Sequence, residues 1–531
     1  MDRMDLDLIC KDIILQLKNE GRGGRFPSRN FYGETFTALT MCLYNETKYQ
    51  KEIEQFLDVY IERDKKVENF HWEFNNYALL MLKKSNRKYD KYVDKKMTFK
   101  GTQCTNWTLL RCVSKAMNGE KRAYLEALKK IRKNQMETGL IKDQENVSSF
   151  QYHCFSASLL YDLYVETGVE EFKERFFQAV DFIKIFTLQN GMTNYIGRGQ
   201  EQLFGYGVLI YIYEIAFLIS KKEQYLLLQH KVMQYIMKCK VKLGYWPLTI
   251  NMTEQDSNQL LDINDARHLG WYQYNNYYDY LPFMAYYLVR TLKIKRNYSY
   301  NYNDVGDNRR YVQCGEKYFR FRNQYYDAVI ACEAGYWTNC NLFPLIVYNG
   351  EIVTPCNGGE QYDCNLYNVK GISAPFFMTK DVIQNGLRER IRQFLKRQTR
   401  EYSCWDICDY CIHKEGDTIV VEGRSNVVTH IRKYTFGVES ISIKEEYIFQ
   451  KNFHFTSFSF LNIQLLGNVE QENNLIKIDK ECKIQFKNAD GVQVEEKYYC
   501  ALGKLSSVVI QKKDLEVKKD DAICFEYEFT M

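Results

Sequence analysis

The chain has 531 residues and a formal net charge of +5, with 72 basic residues against 67 acidic ones. That length calls for two large domains rather than one core, and the near balance of charge excludes a dedicated nucleic-acid binder, which needs a concentrated basic field. No run of about 18 uncharged apolar residues suggests a membrane span, the first residues Met1-Asp2-Arg3-Met4-Asp5 are charged, and the 17 cysteines are scattered and odd in number; the expectation is a cytoplasmic protein with reduced thiols.

From residue 1 to about 300 the sequence reads as helix after helix. Apolar residues recur at helical spacing in Phe74–Leu82, Trp107–Met117, Phe155–Tyr164, Phe177–Phe186, Val208–Ile219, Tyr225–Met237 and Tyr280–Leu292. Similar phrases open these segments: Asn75-Asn76-Tyr77, Thr105-Asn106-Trp107, Gln151-Tyr152-His153, Phe204-Gly205-Tyr206 and Tyr278-Asp279-Tyr280. Phrases repeating at irregular intervals fit helical hairpins with varied loops, stacked as an open solenoid or closed into an α/α toroid. In a toroid one concave end gathers the helix starts around a cleft.

The texture changes after residue 300. Asn297 to Asn303 lacks a helical period and reads as a linker, so the expected domains are 1–300 and 301–531. Beyond it come alternating β-rich runs: Lys317–Arg322, Tyr326–Ala331, Leu342–Tyr348, Thr418–Glu422, Ser440–Gln450, Phe453–Leu466, Ile476–Phe486, Ser506–Gln511 and Ala522–Thr530. Turn signals such as Asn349-Gly350 and Ala489-Asp490-Gly491 separate them, as in an antiparallel β-sandwich. Asp381–Lys396 stands out as a short helix. The cluster Cys404, Cys408, Cys411 and His413 has zinc-like spacing, but its neighbours alternate like a strand and no second CxxC accompanies it, so no metal is expected.

Aromatic residues make up 15% of the chain, with 43 tyrosines and 32 phenylalanines. Sugar-binding clefts and AT-rich codon usage account for that excess equally well. The run Gly197-Arg198-Gly199-Gln200-Glu201-Gln202-Leu203-Phe204-Gly205-Tyr206-Gly207 is more specific. It concentrates an arginine, a glutamate and two glutamines between glycines ahead of an apolar helix, which suits a carboxylate-bearing, hydroxyl-rich ligand. Ser148 and Gln151 have capping-box spacing, placing Tyr152 and His153 in the first turns of a helix. Tyr152, Phe155, Leu159 and Leu163 also form an apolar stripe, so Tyr152 has a core reading beside its functional one. Asn106 reads either as an N-cap or as a donor to a substrate carboxylate. His71 is equally ambiguous, and Trp271 and Tyr274 in Gly270–Tyr280 combine rings with amides, as sugar stacking or loop packing would.

Taken together, the helical half, the β-sandwich half and the phrases Thr-Asn-Trp-Thr-Leu-Leu-Arg, Phe-Gln-Tyr-His, Gly-Arg-Gly-Gln-Glu-Gln and Gly-Trp-Tyr-Gln-Tyr-Asn resemble heparinase II/III-like polysaccharide lyases. The resemblance implies an N-terminal incomplete (α/α) toroid, a C-terminal antiparallel β-sandwich and an active site between them. Tyr152 matches the family's acid/base tyrosine, and Asn106 the carboxylate-neutralising residue one hairpin earlier. His153 and Arg198 are candidate catalytic neighbours, and His71, Gln200, Gln202, Trp271 and Tyr274 candidate substrate-binding residues. The chain departs from the family in having Asn106-Trp107 where members show Asn-His. The sandwich's contribution is open among His413, His430 and the loop Thr354–Tyr362.

The implied reaction is β-elimination at a uronic acid, with no cofactor and with an acidic polysaccharide or oligosaccharide as partner. A tyrosine hydroxyl has an ordinary pKa of about 10, so base work needs a nearby cation, and otherwise Tyr152 protonates the leaving oxygen while His153 takes the proton. Hydrolysis by two carboxylates drawn from Glu201, Asp262, Asp265 and Asp279 is a second enzymatic reading. A non-catalytic polysaccharide-binding or assembly protein is a third. Oligomeric state is open.

Overall fold

The structure, a computed structural model, describes residues 3–531 apart from 29, 67–69, 95, 121, 146, 198, 249, 251–276, 296–309, 334–340, 355–374, 381–399, 405–406, 479–481 and 501–502. The expected linker, the expected helix Asp381–Lys396, Arg198, Trp271, Tyr274 and nearly all of the Thr354–Tyr362 loop lie outside the described residues.

The helices are α1 (Arg3–Glu20), α2 (Gly33–Glu62), α3 (Trp72–Ser85), α4 (Thr105–Met117), α5 (Ala123–Asn134), α6 (Phe150–Thr167), α7 (Glu170–Phe186), α8 (Leu203–Ser220), α9 (Gln224–Leu243) and α10 (Tyr277–Lys293). The first half of α2 packs on α3, then α3 on α4, α4 on α6, α6 on α8, α8 on α10, and α10 returns to α2. That closes an inner ring. Outside it α5 lies on α4, α7 on α6, α9 on α8 and α1 on α10. The outer layer is incomplete, because between α3 and α4 only a short 3-10 turn, Arg87–Tyr92, takes the place of a full helix.

Local chemistry explains the breaks and close approaches. α2 bends at Asn45, which leaves helical φ/ψ, and its side chain accepts the Lys48 N–H at 3.1 Å, starting a second helical segment as an N-cap would. Helix α8 contains Gly207, where an added Cβ would lie 2.9 Å from the Met284 backbone, so this glycine lets α8 and α10 approach closely. By length and composition α8 could cross a membrane, yet most of it is buried inside the ring.

Much of the tyrosine excess is core. Tyr60, Tyr77, Tyr89, Tyr195, Tyr206, Tyr213, Tyr225, Tyr286 and Tyr287 are all fully buried; the Tyr60 hydroxyl has no hydrogen-bond partner, whereas others pair, as in Tyr77 with Tyr286 at 2.7 Å and Ser158 with Tyr287 at 2.9 Å.

Among the described residues the first strand begins at Tyr311. Strands β1 (Tyr311–Cys314), β2 (Tyr318–Arg322), β3 (Tyr326–Ala331), β4 (Asn341–Tyr348) and β5 (Glu351–Ile352) form a sheet in chain order. Next come β6 (Phe377–Lys380), β7 (Arg400–Ser403), β8 (Asp409–Glu415), β9 (Thr418–Arg424), β10 (Val428–Phe436), β11 (Ser440–Phe449) and β12 (Phe453–Leu466). The chain ends with β13 (Val469–Glu472), β14 (Leu475–Ile478), β15 (Lys483–Phe486), β16 (Val492–Cys500), β17 (Gly503–Val517) and β18 (Ala522–Thr530). An eight-stranded sheet has the order β13-β14-β15-β18-β11-β10-β9-β8, and a third sheet the order β16-β17-β12-β6-β7. Ile476–Phe486, expected as one strand, is the hairpin β14–β15, since the polar run Asp479-Lys480-Glu481 interrupts the apolar pattern.

The two smaller sheets cover one face of the large one. Phe436 of β10 stacks on Phe321 of β2 with ring centres 4.6 Å apart, while His430 on the same face of β10 meets Phe376 beside β6 at 5.5 Å. The β1–β5 sheet is buried on both faces. Phe319, Phe321, Ala328 and Ile330 join the sandwich core, and their alternates Tyr318, Val329 and Ala331 join the helical core. This sheet seats the toroid on the sandwich.

Candidate functional site

Contacts from the sandwich reach the loops that precede inner helices. Gln189, before α8, donates its backbone N–H to Asp327 at 2.6 Å. Glu333, after β3, accepts from Ser148 Oγ at 2.9 Å, pairs with Lys142 at 2.6 Å and accepts from the Tyr318 hydroxyl. The sandwich therefore sits at the end of the ring where the inner helices start. Their positive dipole ends point the same way.

His71, Asn106, Tyr152 and Gln202 all lie at that end. His71 is the residue before α3, Asn106 the second residue of α4, Tyr152 the third of α6, and Gln202 the residue before α8. Rings connect them: His71 is 4.9 Å from Trp107, Trp107 is 5.2 Å from Phe74, and Tyr152 is 5.7 Å from Phe204. Tyr152 is half-buried, whereas the other stripe members Phe155, Leu159 and Leu163 are buried. The end of the stripe thus emerges from the core as a partly accessible phenol.

Asn106 is not an N-cap, because α4 starts one residue earlier and its N-cap is Cys104. Its Nδ2 donates to Asp143 Oδ1 at 2.7 Å, and its buried Oδ1 has no protein partner. Asp143 belongs to the α5–α6 loop, whose backbone also docks on α4: the Asp143 carbonyl accepts the Thr105 N–H at 2.7 Å. One N–H of the amide stays uncommitted by this pairing. The capping-box expectation is likewise corrected. The residue capping α6 is Ser149, whose side chain makes no capping bond, and Ser148 reaches across to Glu333.

His153 is fully buried. Its Nδ1 accepts the Ile141 N–H and its Nε2 meets the Ala179 carbonyl, both at 2.9 Å. Burial lowers its pKa to about 4. Both nitrogens are therefore occupied in a neutral ring that ties the α5–α6 loop to α7, and the proton-accepting role expected for His153 has no geometry to support it. Gln200 and Gln202 are also buried, and Gln151 Nε2 approaches Gln202 Oε1 at 3.5 Å. They build the wall and do not stand on its surface.

The Gly197–Gly207 run is half loop and half helix, since α8 starts at Leu203. Gly197 has φ 93°, and a Cβ there would lie 2.2 Å from the Ser148 carbonyl oxygen. Glu201 has φ 57° and accepts the Tyr206 and Tyr235 hydroxyls, each at 2.6 Å. Burial outweighs those two bonds and raises its pKa to about 7. Burial likewise raises Asp279 to about 7, against the N–H donors of Tyr32 and Phe31. These carboxylates anchor loops, which removes two of the four acids available for hydrolysis. Asp262 and Asp265 lie outside the described residues.

A stability test follows. The unfolded chain releases the Glu201 proton near the ordinary glutamate value of 4.5 and the folded chain near 7, so stability falls as pH rises between them. Glu201→Gln is expected to flatten this part of the pH–stability curve. An unchanged slope in denaturant titrations from pH 4.5 to 7 would contradict the assignment.

Neither candidate histidine of the sandwich, His413 or His430, reaches the helix starts. His413 pairs with Glu415 at 3.1 Å on the outward side of β8, and His430 is buried between Tyr410 and Glu445. Cys404 and Cys408 are buried, while Cys411 and His413 alternate with inward Tyr410 and Ile412, so the four do not converge. Asp143 and Glu333 are the partners that sequence reading missed. Neither lies in a motif, and only the docked loop reveals them.

No family model matches the chain, and no curated protein matches it in sequence. Among solved structures it is similar to the heparan sulfate lyase HepC from Pedobacter heparinus, at 10% identity and a TM-score of 0.50, over 98% of this chain and 82% of that one. A HepC mutant matches over the same shares at 10% identity and a TM-score of 0.49. The cellobiose 2-epimerase from Spirochaeta thermophila matches at 12% identity and a TM-score of 0.39, over 55% of this chain and 98% of that one. The fold is that of toroid-plus-β-sandwich lyases: a helical N-terminal toroid followed by an antiparallel, sheet-rich C-terminal half.

Proposed function

We propose that the chain is a polysaccharide lyase that cleaves a uronic-acid-containing polysaccharide by β-elimination. The observation that carries this reading is Tyr152, half-buried at the start of α6, at the same sandwich-facing end as an Asn106 amide held by Asp143. Removing the proton at C5 of a uronate builds a second negative charge beside the carboxylate. Asn106, through its uncommitted N–H, and Arg198 stabilise that charge, a role for fixed donors in a water-poor site. Because both His153 nitrogens are engaged, Tyr152 does both proton steps. Its phenolate takes the C5 proton, the C4–O bond breaks as the C4–C5 double bond forms, and the same proton passes to the leaving oxygen.

Gln200 and Gln202 hold the loop that carries Arg198, and His71, Trp271 and Tyr274 are assigned to sugar binding. The burial of Glu201 and Asp279 favours lysis over hydrolysis. The test is an assay of uronate polysaccharides for unsaturated product absorbing near the ultraviolet edge. Such product is expected from at least one polymer; hydrolytic products, or binding without turnover across the panel, would overturn the reading. Asn106→Ala is expected to lower kcat by about 10²- to 10³-fold, with KM changing much less, and an unchanged kcat would remove Asn106 from the mechanism.

A further inference from the structure

The opposite mouth of the toroid carries a cavity of about 330 Å³, where the inner helices end. Its walls are aliphatic and come from several helices: Met81 of α3, Met117 of α4, Val165 of α6, Ile215 and Leu218 of α8, and Ile294 just past α10. Val165 is 54% exposed at its edge. A pocket of this size is at the small end of the range that binds organic ligands, and methionines let its walls adapt to a flexible chain.

The floor asks for no hydrogen bonds. Arg290 pairs with Asp162 at 2.7 Å, Asp162 also accepts the Tyr77 hydroxyl at 2.8 Å, and the guanidinium lies 4.3 Å from the centre of the Tyr211 ring. Tyr211 therefore has a face already covered. The rim is cationic. Lys84 and Lys293 stand at the mouth above the floor pair Arg290–Asp162, with Lys84 paired to Glu166. Exposed Lys293 donates to the Tyr44 carbonyl at 3.0 Å, and no carboxylate pairs with it among the described residues. Helix C-termini favour cations, but Lys84, Arg290 and Lys293 occupy the last turns and already meet that field.

We propose that this mouth binds a single-chain carboxylate amphiphile, its alkyl chain against the aliphatic walls and its carboxylate at Lys293. The site is separated from Tyr152 by the length of the ring, so its test does not depend on the lyase reading.

The probes are decanoate below its micellar range and decyltrimethylammonium, titrated calorimetrically into the full chain. Decanoate is expected to bind one saturable site, and the cationic probe is not. Val165→Trp, at an exposed position that tolerates a larger ring, plugs the entrance and is expected to weaken decanoate by about tenfold or more, the equivalent of one or two buried methylenes. Lys293→Gln is expected to weaken it several-fold and to reduce its salt dependence. Absence of saturable decanoate binding, wild-type affinity in both variants, or equal binding of the cationic probe would each overturn the proposal.

Discussion

Tyr152→Phe is expected to abolish release of unsaturated product, a loss of about 10²- to 10⁴-fold or more for removing one placed acid/base group, while the fold is retained. The substitution deletes one hydroxyl and keeps the ring that contacts Phe204, so α6 and its packing should be unaffected. Because the same hydroxyl performs both proton steps in the proposed mechanism, no second group rescues the variant. His153 cannot take over while Ile141 and Ala179 hold its two nitrogens. The measurement is the initial rate of ultraviolet absorbance on the best uronate polymer, with circular dichroism to confirm folding. Turnover at the wild-type rate would dismiss Tyr152 and, with it, the lyase mechanism written here.

The contrast between Tyr152 and His153 shows what periodicity makes legible. The spacing Tyr152, Phe155, Leu159, Leu163 marks one helical face, and the structure buries all but its first member. A histidine in the next position projects about 100° away, and sequence alone does not say whether that direction is cleft or core. Here it is core, because α7 and the Ile141 loop close over it. The pairing of Asn106 with Asp143, 37 residues apart, is set by how the loop docks, which no local pattern encodes. The helix-then-strand order of the chain was readable because the hydrophobic period changes near residue 300. Strand β10 was harder to read, because its inward face carries polar residues. In β10 the buried positions are Val428, His430, Arg432, Tyr434 and Phe436, so the basic side chains that suggest an exposed face point into the sandwich.

That inward face leads to the largest stability effect expected of this chain. Arg432 and Glu445 are opposite one another on β10 and β11, and Arg432 Nε lies 2.7 Å from Glu445 Oε2. His430 Nε2 is 2.8 Å from Glu445 Oε1, and the hydroxyls of Tyr447 and Tyr527 also donate to this carboxylate. All three charged or titratable side chains are essentially inaccessible. Burial raises the pKa of Glu445, but the Arg432 charge and the His430 bond outweigh it and hold the carboxyl at about 2. An unfolded glutamate titrates near its ordinary value of 4.5. The stabilisation is therefore complete above that value and is lost as pH falls through about 2.

Glu445→Ala leaves Arg432 buried without its counter-ion and is expected to cost about 3–5 kcal/mol in the sandwich transition, read by calorimetry at neutral pH. Replacing the pair together, Arg432→Met with Glu445→Leu, should cost far less, because desolvation of both charges disappears with their attraction. If the single and double replacements destabilise equally, the penalty comes from lost packing and not from the stranded guanidinium. A loss near zero for Glu445→Ala would mean that water reaches Arg432, contrary to its burial.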